Sequence, residues 1–101
     1  MYLGSVSSKH FGLMCDPIKY HDTIKLYFCD NRIYFSTNFL EKVDKCKYSG
    51  VFLTTDLILV NKCTRLCDKL NIYTVGEKLF FSGKISSLGT FRLSITEHHG
   101  G

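Results

Sequence analysis

Alternation of apolar and polar residues constrains the fold of this chain more than any other feature of its sequence. In the segment HDTIKLYF (21–28), apolar Ile24, Leu26 and Phe28 occupy every second position. Successive side chains of a β-strand point to opposite faces, so this period of two predicts a strand with one buried face. The same alternation in FRLSIT (91–96) predicts a last strand close to the end of the sequence.

Turn-forming residues separate the predicted strands. Asp30 and Asn31 lie between two strand-like segments and favour a tight turn. Pro17, the one proline, lies in the stretch CDPIK, where its fixed backbone angle and the preceding aspartate favour a reversal of the chain. The segment KLFFSGKISSLG (78–89) predicts a further short strand followed by a turn rich in glycine and serine.

The spacing of apolar residues changes after Ser36. Phe39, Leu40, Val43 and Cys46 then fall on one side of a helical projection, with charged residues between them. This spacing predicts an amphipathic helix, and it is the only helix that the sequence pattern indicates.

Capping residues mark both ends of this predicted helix. Ser36 or Thr37 can cap its first turn, Lys45 and Lys47 favour its last turn, and Gly50 can close it. The continuous apolar run DLILVN (56–61) follows and predicts a central strand buried on both faces.

The segment at 63–78 predicts an irregular connection in which Ile72 and Tyr73 are anchors. Strands, one helix and then strands again, without an alternating β-α repeat, predict an α+β fold with the helix across a mixed sheet. The 101 residues, of which 45% are hydrophobic, supply one core and are too few for two domains. We find no internal repeat, low-complexity region or linker.

The cysteines and the apolar runs bear on the compartment. Five cysteines in a chain without a secretory signal pattern favour reduced thiols over a disulfide framework. Cys63 and Cys67 form a C-x-x-x-C spacing, but no second pair of ligands stands at metal-binding distance in the sequence, so no metal site is predicted. The apolar runs are too short to cross a bilayer, and a soluble cytoplasmic protein is expected.

The sequence ends on a glycine pair a few residues after the last predicted strand. Gly100 and Gly101 have no Cβ atoms and can extend through a channel too narrow for side chains, which would bring the carboxylate of Gly101 to an enzyme's reactive centre. Such a carboxylate needs activation by attack on ATP, after which a sulfur donor can displace the adenylate. The arrangement predicts a carrier with a rigid head and a flexible tail at 97–101.

No catalytic motif of the chain itself stands out. The sequence contains no glycine-rich phosphate loop, no recognisable acid pair and no nucleophile with a base, as expected if the protein is the substrate of an activating enzyme. We therefore expect a protein carrier that is not an enzyme and binds no cofactor, the ATP being consumed by its activating enzyme.

The tail LSITEHHGG (93–101) resembles the end of the ubiquitin-related modifier family, the eukaryotic sulfur carriers, whose last strand runs into Leu-His-Gly-Gly. The segments LILVN (57–61) and IYTVGEK (72–78) resemble that family's buried strand and its aromatic and acidic stretch. YLGSVSSKHFG (2–12) is similar to its opening, and IKYHDTIKL (18–26) falls where its second strand would lie. The chain departs from the family pattern at four places.

In the tail, Glu97 and His98 replace the Thr-Leu of the family. Before the last strand, SSLGT (86–90) replaces an aspartate-glycine-aspartate turn. The segment 62–70 looks like an insertion, and the first strand looks shortened.

The resemblance implies a single ubiquitin-like β-grasp domain over 1–101. It implies that a ubiquitin-activating-type enzyme with a sulfurtransferase domain adenylates Gly101 and converts it to a thiocarboxylate. It further implies sulfur donation through a tRNA thiolation enzyme complex to the wobble uridine, and conjugation of the same terminus to lysines of other proteins. No membrane partner is implied.

Two interpretations of the tail histidines stay open. His99 stands where the family has histidine, and with Gly100 it would contact the activating enzyme; alternatively His98 and His99 are solvated polar residues of the arm. Phe11, Ile24, Phe39, Leu40 and Leu57 are predicted to be core residues rather than site residues.

A binding module is the alternative class of function. The net charge of +4 suits an acidic partner, although the lysines form no run. The aromatic segments KLYF, RIYF and KLFF next to lysine or arginine predict a small basic RNA-binding module on which bases would stack. The segments ILVN (58–61) and VGEKLFF (75–81) loosely resemble small S4-like, ribosome-associated RNA-binding domains, whose arginine-rich helix is missing here. Exposure of Tyr27, Tyr34 and Phe80 on one face would favour this alternative, and their burial would count against it.

Overall fold

The computed structural model describes residues 1–39 and 45–99 of the chain. These residues form seven strands, two helices and a short 3-10 turn at Ser86–Leu88. The strands are β1 (Tyr2–Ser7), β2 (Thr23–Cys29), β3 (Arg32–Ser36), β4 (Tyr48–Leu53), β5 (Lys69–Val75), β6 (Lys78–Lys84) and β7 (Thr90–Thr96). The helices are α1 (Ser8–Cys15) and α2 (Thr54–Cys63). Neither helix is long and apolar enough to cross a membrane, a finding limited to the described residues.

The strands form two antiparallel sheets. The first sheet has four strands in the order β1-β5-β6-β7, and the second has three in the order β3-β2-β4. All pairings among the described strands are antiparallel. The α+β class is therefore confirmed. Two antiparallel sheets with two helices replace the predicted mixed sheet with one main helix, and the β-grasp assignment is not confirmed.

The inner faces of both sheets and the buried sides of both helices share one hydrophobic core. Phe11 of α1 lies between the sheets, because its ring centroid is 6.0 Å from that of Phe35 in β3 and 5.7 Å from that of Phe81 in β6. Such aromatic pairs add to the stabilisation that burial of apolar area gives. Helix α1 thus contacts both sheets through the side chain of Phe11.

Three of the five predicted core residues are confirmed. Phe11, Ile24 and Leu57 are fully buried. Phe39 is 47% exposed, so its assignment to the core is wrong. Leu40 lies outside the described residues.

The alternating segments form the strands that the sequence predicts. β2 and β7 alternate more buried with more exposed residues, as the period of two indicates. β6 forms at the predicted place and is followed by the turn at 86–89. The tight turn between β2 and β3 is also confirmed, with positive φ values of 53° at Asp30 and 62° at Asn31. Aspartate and asparagine tolerate this left-handed backbone better than most residues, which fits a two-residue hairpin turn. The reversal at Pro17 is confirmed as a turn over 16–20.

The prediction of a buried strand at 56–61 is wrong, because these residues belong to α2. Thr54, Leu57, Val60 and Thr64 are buried, a spacing of three or four residues that fits a helix, whereas Leu59 is 56% exposed. The predicted irregular connection at 63–78 is also wrong, since it contains the end of α2 and the whole of β5.

The predicted helix after Ser36 is wrong at both ends. Ser36 is the last residue of β3, and Gly50 lies inside β4 rather than at a helix end. The middle of the prediction, 40–44, lies outside the described residues. The opening of the chain supplies a helix that the pattern did not indicate, α1, which begins directly after β1 and is capped by the Ser7 side chain accepting from the His10 amide.

An internal repeat, which the sequence did not reveal, organises the fold. The starts of β1 and β4, Tyr2 and Tyr48, are 46 positions apart, and so are the starts of α1 and α2, of β2 and β5, and of β3 and β6. The unit β1-α1-β2-β3 therefore corresponds to β4-α2-β5-β6, with β7 added to the second unit. The first strand of each unit belongs to the sheet of the other unit, since β1 pairs with β5 and β4 pairs with β2.

Matching hydrogen bonds support this correspondence. The amide of Ser8, first in α1, donates to the carbonyl of Asp68 at 3.0 Å, and the amide of Thr54, first in α2, donates to that of Asp22 at 2.9 Å. Ser8 and Thr54 occupy equivalent positions, as do Asp22 and Asp68. The two helices pack against each other between the units.

Candidate nucleic-acid interface

A row of aromatic side chains crosses the outer face of the four-stranded sheet. Tyr2 of β1 lies opposite Tyr73 of β5, and Tyr73 lies opposite Phe80 of β6. Their neighbours along the strands, Leu3, Ile72 and Leu79, are fully buried. Because side chains alternate between faces, the three aromatic residues lie on the side away from the core.

Two of the three rings in this row stack on each other. Tyr73 and Phe80 stack with 5.9 Å between ring centroids and 14° between ring planes. Tyr2 is 54% exposed, while Tyr73 and Phe80 are half-buried. Ser94 of β7 lies opposite Phe80 and continues the row with a small side chain. The row therefore presents aromatic surface without a bulky group at its β7 end.

Cations surround the aromatic row. Lys69, Lys78, Lys84 and Arg92 are exposed and lie on the same face, at positions in phase with Tyr73, Phe80 and Ser94 along β5, β6 and β7. The strands β1, β5, β6 and β7 contain no aspartate or glutamate. The outer face of this sheet is consequently basic, although the whole chain has a net charge of only +4.

This combination of groups suits single-stranded nucleic acid. A base can stack on an aromatic ring whatever its identity, and a cation beside the ring can contact the adjoining phosphate. The four cations lie on one face, and the strands that carry them contain no acidic residue. They can therefore contact several phosphates of one strand. We describe this surface, made of Tyr2, Tyr73, Phe80 and the four cations, as the aromatic-basic face.

The predicted RNA-binding aromatics do not lie together. Phe80 is on the outer face of the four-stranded sheet, whereas Tyr27 and Tyr34 stack on the outer face of the three-stranded sheet, with 5.3 Å between their centroids. The two stacked pairs are equivalent under the internal repeat. The condition that all three residues share one face is therefore not met, and each sheet has its own pair.

The sequence patterns did not indicate that Tyr2 and Tyr73 belong to the aromatic-basic face. The sequence predicted Tyr73 as an anchor of an irregular connection, and it made no prediction for Tyr2. The register of β1 on β5 brings them together from positions 71 residues apart. A signal that points to Tyr73 is the repeat, because Tyr27 and Tyr73 are equivalent.

The first residues of the predicted tail are bound to both sheets. The amide of Glu97 donates to the carbonyl of Glu77 at 2.8 Å, and the amide of His98 donates to that of Val51 in β4 at 2.8 Å. The Tyr48 hydroxyl donates to the Glu97 carboxylate. The described part of the tail is thus hydrogen-bonded rather than extended freely from the end of β7.

Burial and the hydrogen bond to Glu97 raise the pKa of Tyr48 above its ordinary value. The tyrosine accordingly stays a neutral donor to the carboxylate through the physiological pH range. Because the unfolded tyrosine would ionise first, this contribution to stability is complete below about pH 10 and declines above it.

The structure places one of the three predicted carrier residues. His99 is exposed, and its Nε2 lies 3.2 Å from Oε1 of Glu77 and 3.8 Å from Oε2 of Glu97. His98 is half-buried. Gly100 and Gly101, the predicted enzyme contact and the predicted conjugation site, lie outside the described residues.

The cysteines form neither a disulfide nor a metal cluster in the part of the chain that the structure describes. Cys63 is exposed at the end of α2, whereas Cys67 is buried against Gly83, where an added Cβ would lie 3.0 Å from the Cys67 sulfur. Burial raises the pKa of the Cys15 thiol to about 12, so this thiol stays protonated. The two thiols of the C-x-x-x-C spacing, those of Cys63 and Cys67, therefore lie in different environments.

Comparison with protein-family models gives no match, and neither does a search of curated proteins.

Proposed function

We propose that this domain binds single-stranded RNA through its aromatic-basic face. The observation that supports the proposal is the row Tyr2, Tyr73 and Phe80, which crosses three strands on a face with four cations. Binding of this kind needs no catalytic group, cofactor or metal. Its specificity for single strands follows from stacking, because bases within a duplex already stack on each other.

Affinity in this proposal has two separate sources. The rings supply stacking, which is worth about 1–3 kcal/mol per base. The cations supply a salt-dependent contribution, since each phosphate contact releases counterions from the strand. The domain is therefore expected to bind RNA with little preference for base sequence and with affinity that falls as salt rises.

Replacement of Tyr2 with alanine is expected to weaken RNA binding about 5- to 10-fold, near the lower end of the stacking range because the ring is half-exposed. Fluorescence polarisation with a labelled oligouridylate of eight nucleotides measures this change. Tyr20→Ala is the matched control, because Tyr20 is 84% exposed on another part of the surface. Equal affinity losses in the two variants would place the bases away from the aromatic row.

A carrier role for the tail is a second candidate function. We propose it because Gly100 and Gly101 come only two and three positions after His98, whose amide is bonded to β4. In this proposal an activating enzyme adenylates Gly101 and converts it to a thiocarboxylate for tRNA thiolation or for conjugation to lysines. One part of the resemblance is lost, because LILVN at 57–61 is helical here.

Intact mass after incubation with ATP, a ubiquitin-activating-type enzyme and a sulfur donor tests the carrier role. A mass shift for oxygen replaced by sulfur, absent when Gly101 is deleted, would support it. An unchanged mass with an enzyme that activates its own carrier, or a natural residue after Gly101, would contradict it. Neither outcome bears on RNA binding, so the two candidate functions are separable.

A further inference from the structure

An open gap separates the edge strands of the two sheets on one side of the molecule. The gap lies between β1 and β3, and α1 passes beneath it. It contains a cavity of about 510 Å³. Val6, Met14 and Ile33 supply its apolar lining, and His10, Arg32 and Tyr34 lie around them.

The equivalent gap in the second unit is filled by the chain itself. β7 and the residues after it run between β6 and β4, where Ile95 lies opposite Leu79, and Thr96 opposite Lys78. The amide of His98 then bonds to the carbonyl of Val51 in β4. An extended segment therefore closes the space between the two sheets on that side.

The residues lining the open gap correspond to those that β7 and the tail contact. Ser5, Asn31, Arg32, Ile33 and Tyr34 line the cavity. Positions 46 residues later in the chain are Val51, Glu77, Lys78, Leu79 and Phe80, and each of these five pairs with or hydrogen-bonds to β7 or the tail. The open gap thus has the geometry of a strand-binding site whose strand is missing from the first unit.

The backbone of β3 is directed into the gap. A two-residue turn makes Cys29 and Arg32 a hydrogen-bonded pair, so hydrogen bonding alternates along the hairpin and leaves the amides and carbonyls of Ile33 and Phe35 on the far edge. Within the described residues β3 pairs only with β2. Such an edge is a template for one more strand.

We infer that this gap binds an extended segment of a partner protein, which adds antiparallel to β3 as β7 adds to β6. The segment places a branched aliphatic side chain on Val6, Met14 and Ile33, in the way that Ile95 is buried at 7% exposure in the second unit. Backbone hydrogen bonds to Ile33 and Phe35 give the affinity, and the aliphatic residue fixes the register. This inference is independent of RNA binding.

The charged residues around the gap indicate which charge the partner segment carries. In the second unit the tail histidine His99 meets Glu77. At the equivalent positions of the first unit Asn31 replaces Glu77, and His10 replaces Asp56, while Arg32, like its equivalent Lys78, is an exposed cation. A segment with carboxylates where the tail has histidines therefore complements the open gap.

Two synthetic peptides test the inference. The acidic peptide, TFRLSITEEE, is the sequence of residues 90–99 with both histidines replaced by glutamate, and the second peptide keeps the histidines. The acidic peptide is expected to bind the full chain more tightly in fluorescence polarisation. Hydrogen exchange at the Ile33 and Phe35 amides should slow when it binds.

Arg32→Glu, an exposed position, is expected to weaken binding of the acidic peptide roughly tenfold and to improve binding of the histidine peptide. Lys62→Glu, exposed on α2, has the same charge change and should alter neither affinity. The inference fails if neither peptide binds at millimolar concentration, or if Arg32→Glu and Lys62→Glu have equal effects. It also fails if the Ile33 and Phe35 amides are already protected in the peptide-free protein, because the chain would then cover its own edge.

Discussion

Replacing Phe11 with alanine is expected to lower the free energy of unfolding by about 3–5 kcal/mol. Phe11 is fully buried and contacts Phe35 in one sheet and Phe81 in the other. Its removal leaves a cavity at the place where α1 joins the two sheets, and two aromatic contacts are lost with it. A domain of this size has about 5–15 kcal/mol of stability in total, so at least about a fifth of it would disappear.

Leu13→Ala is the matched control for this prediction, because Leu13 is in the same helix and 66% exposed. Its cost should stay within about 0.5 kcal/mol, as for most surface substitutions. Urea denaturation followed by circular dichroism gives both free energies. If Leu13→Ala destabilised the protein as much as Phe11→Ala, α1 would have to pack through its other side.

The double variant Lys78→Gln and Arg92→Gln is expected to weaken RNA binding about 25-fold at 0.1 M salt. The reason is that the slope of log affinity against log salt is negative, and each lost phosphate contact reduces its magnitude by about 0.7 for a single strand. Two contacts therefore reduce the slope by about 1.4. Both side chains are exposed on the aromatic-basic face, so folding should be unaffected.

Lys9→Gln and Arg65→Gln together make the charge-matched control. Both residues are exposed, and they line a groove beside α1 and α2 rather than the four-stranded sheet. Polarisation titrations at four salt concentrations give the slope for each protein. A similar change of slope in both double variants would mean that RNA senses the net charge of the domain and not this face.

The strands that the sequence predicted share a simple physical cause. β2 and β7 have one face in the core and one in solvent, so their composition alternates and the pattern is visible locally. The turn at Asp30 and Asn31 is equally local, because it depends on the backbone preferences of those two residues. Such features do not require knowledge of the rest of the fold.

The error at α2 has the opposite cause. Leu59 is an apolar residue at an exposed position in the middle of the run at 56–61. A polar residue at this position would have interrupted the run and made the helical period visible in the sequence. Short apolar runs fit a strand and a helix equally well, and only the packing of Leu57 and Val60 against the core decides between them.

The candidate site depends on pairing between distant parts of the chain. Tyr2 joins Tyr73 only because β1 pairs with β5 in the other half, and no local pattern contains that register. The repeat was hidden for a related reason, since equivalent positions keep their place in the fold while their residues differ, as Phe11 and Leu57 do. Equivalent burial, rather than equivalent sequence, preserves the two units.

Chemical-shift mapping with an oligouridylate of eight nucleotides tests the proposed function most directly. Backbone amide resonances of Tyr2, Tyr73, Phe80 and Arg92 should shift on titration and return as salt is raised. A duplex of the same length should shift them much less. Shifts confined to α1 and α2 or to the outer face of the three-stranded sheet, or none at millimolar RNA, would contradict RNA binding by the aromatic-basic face.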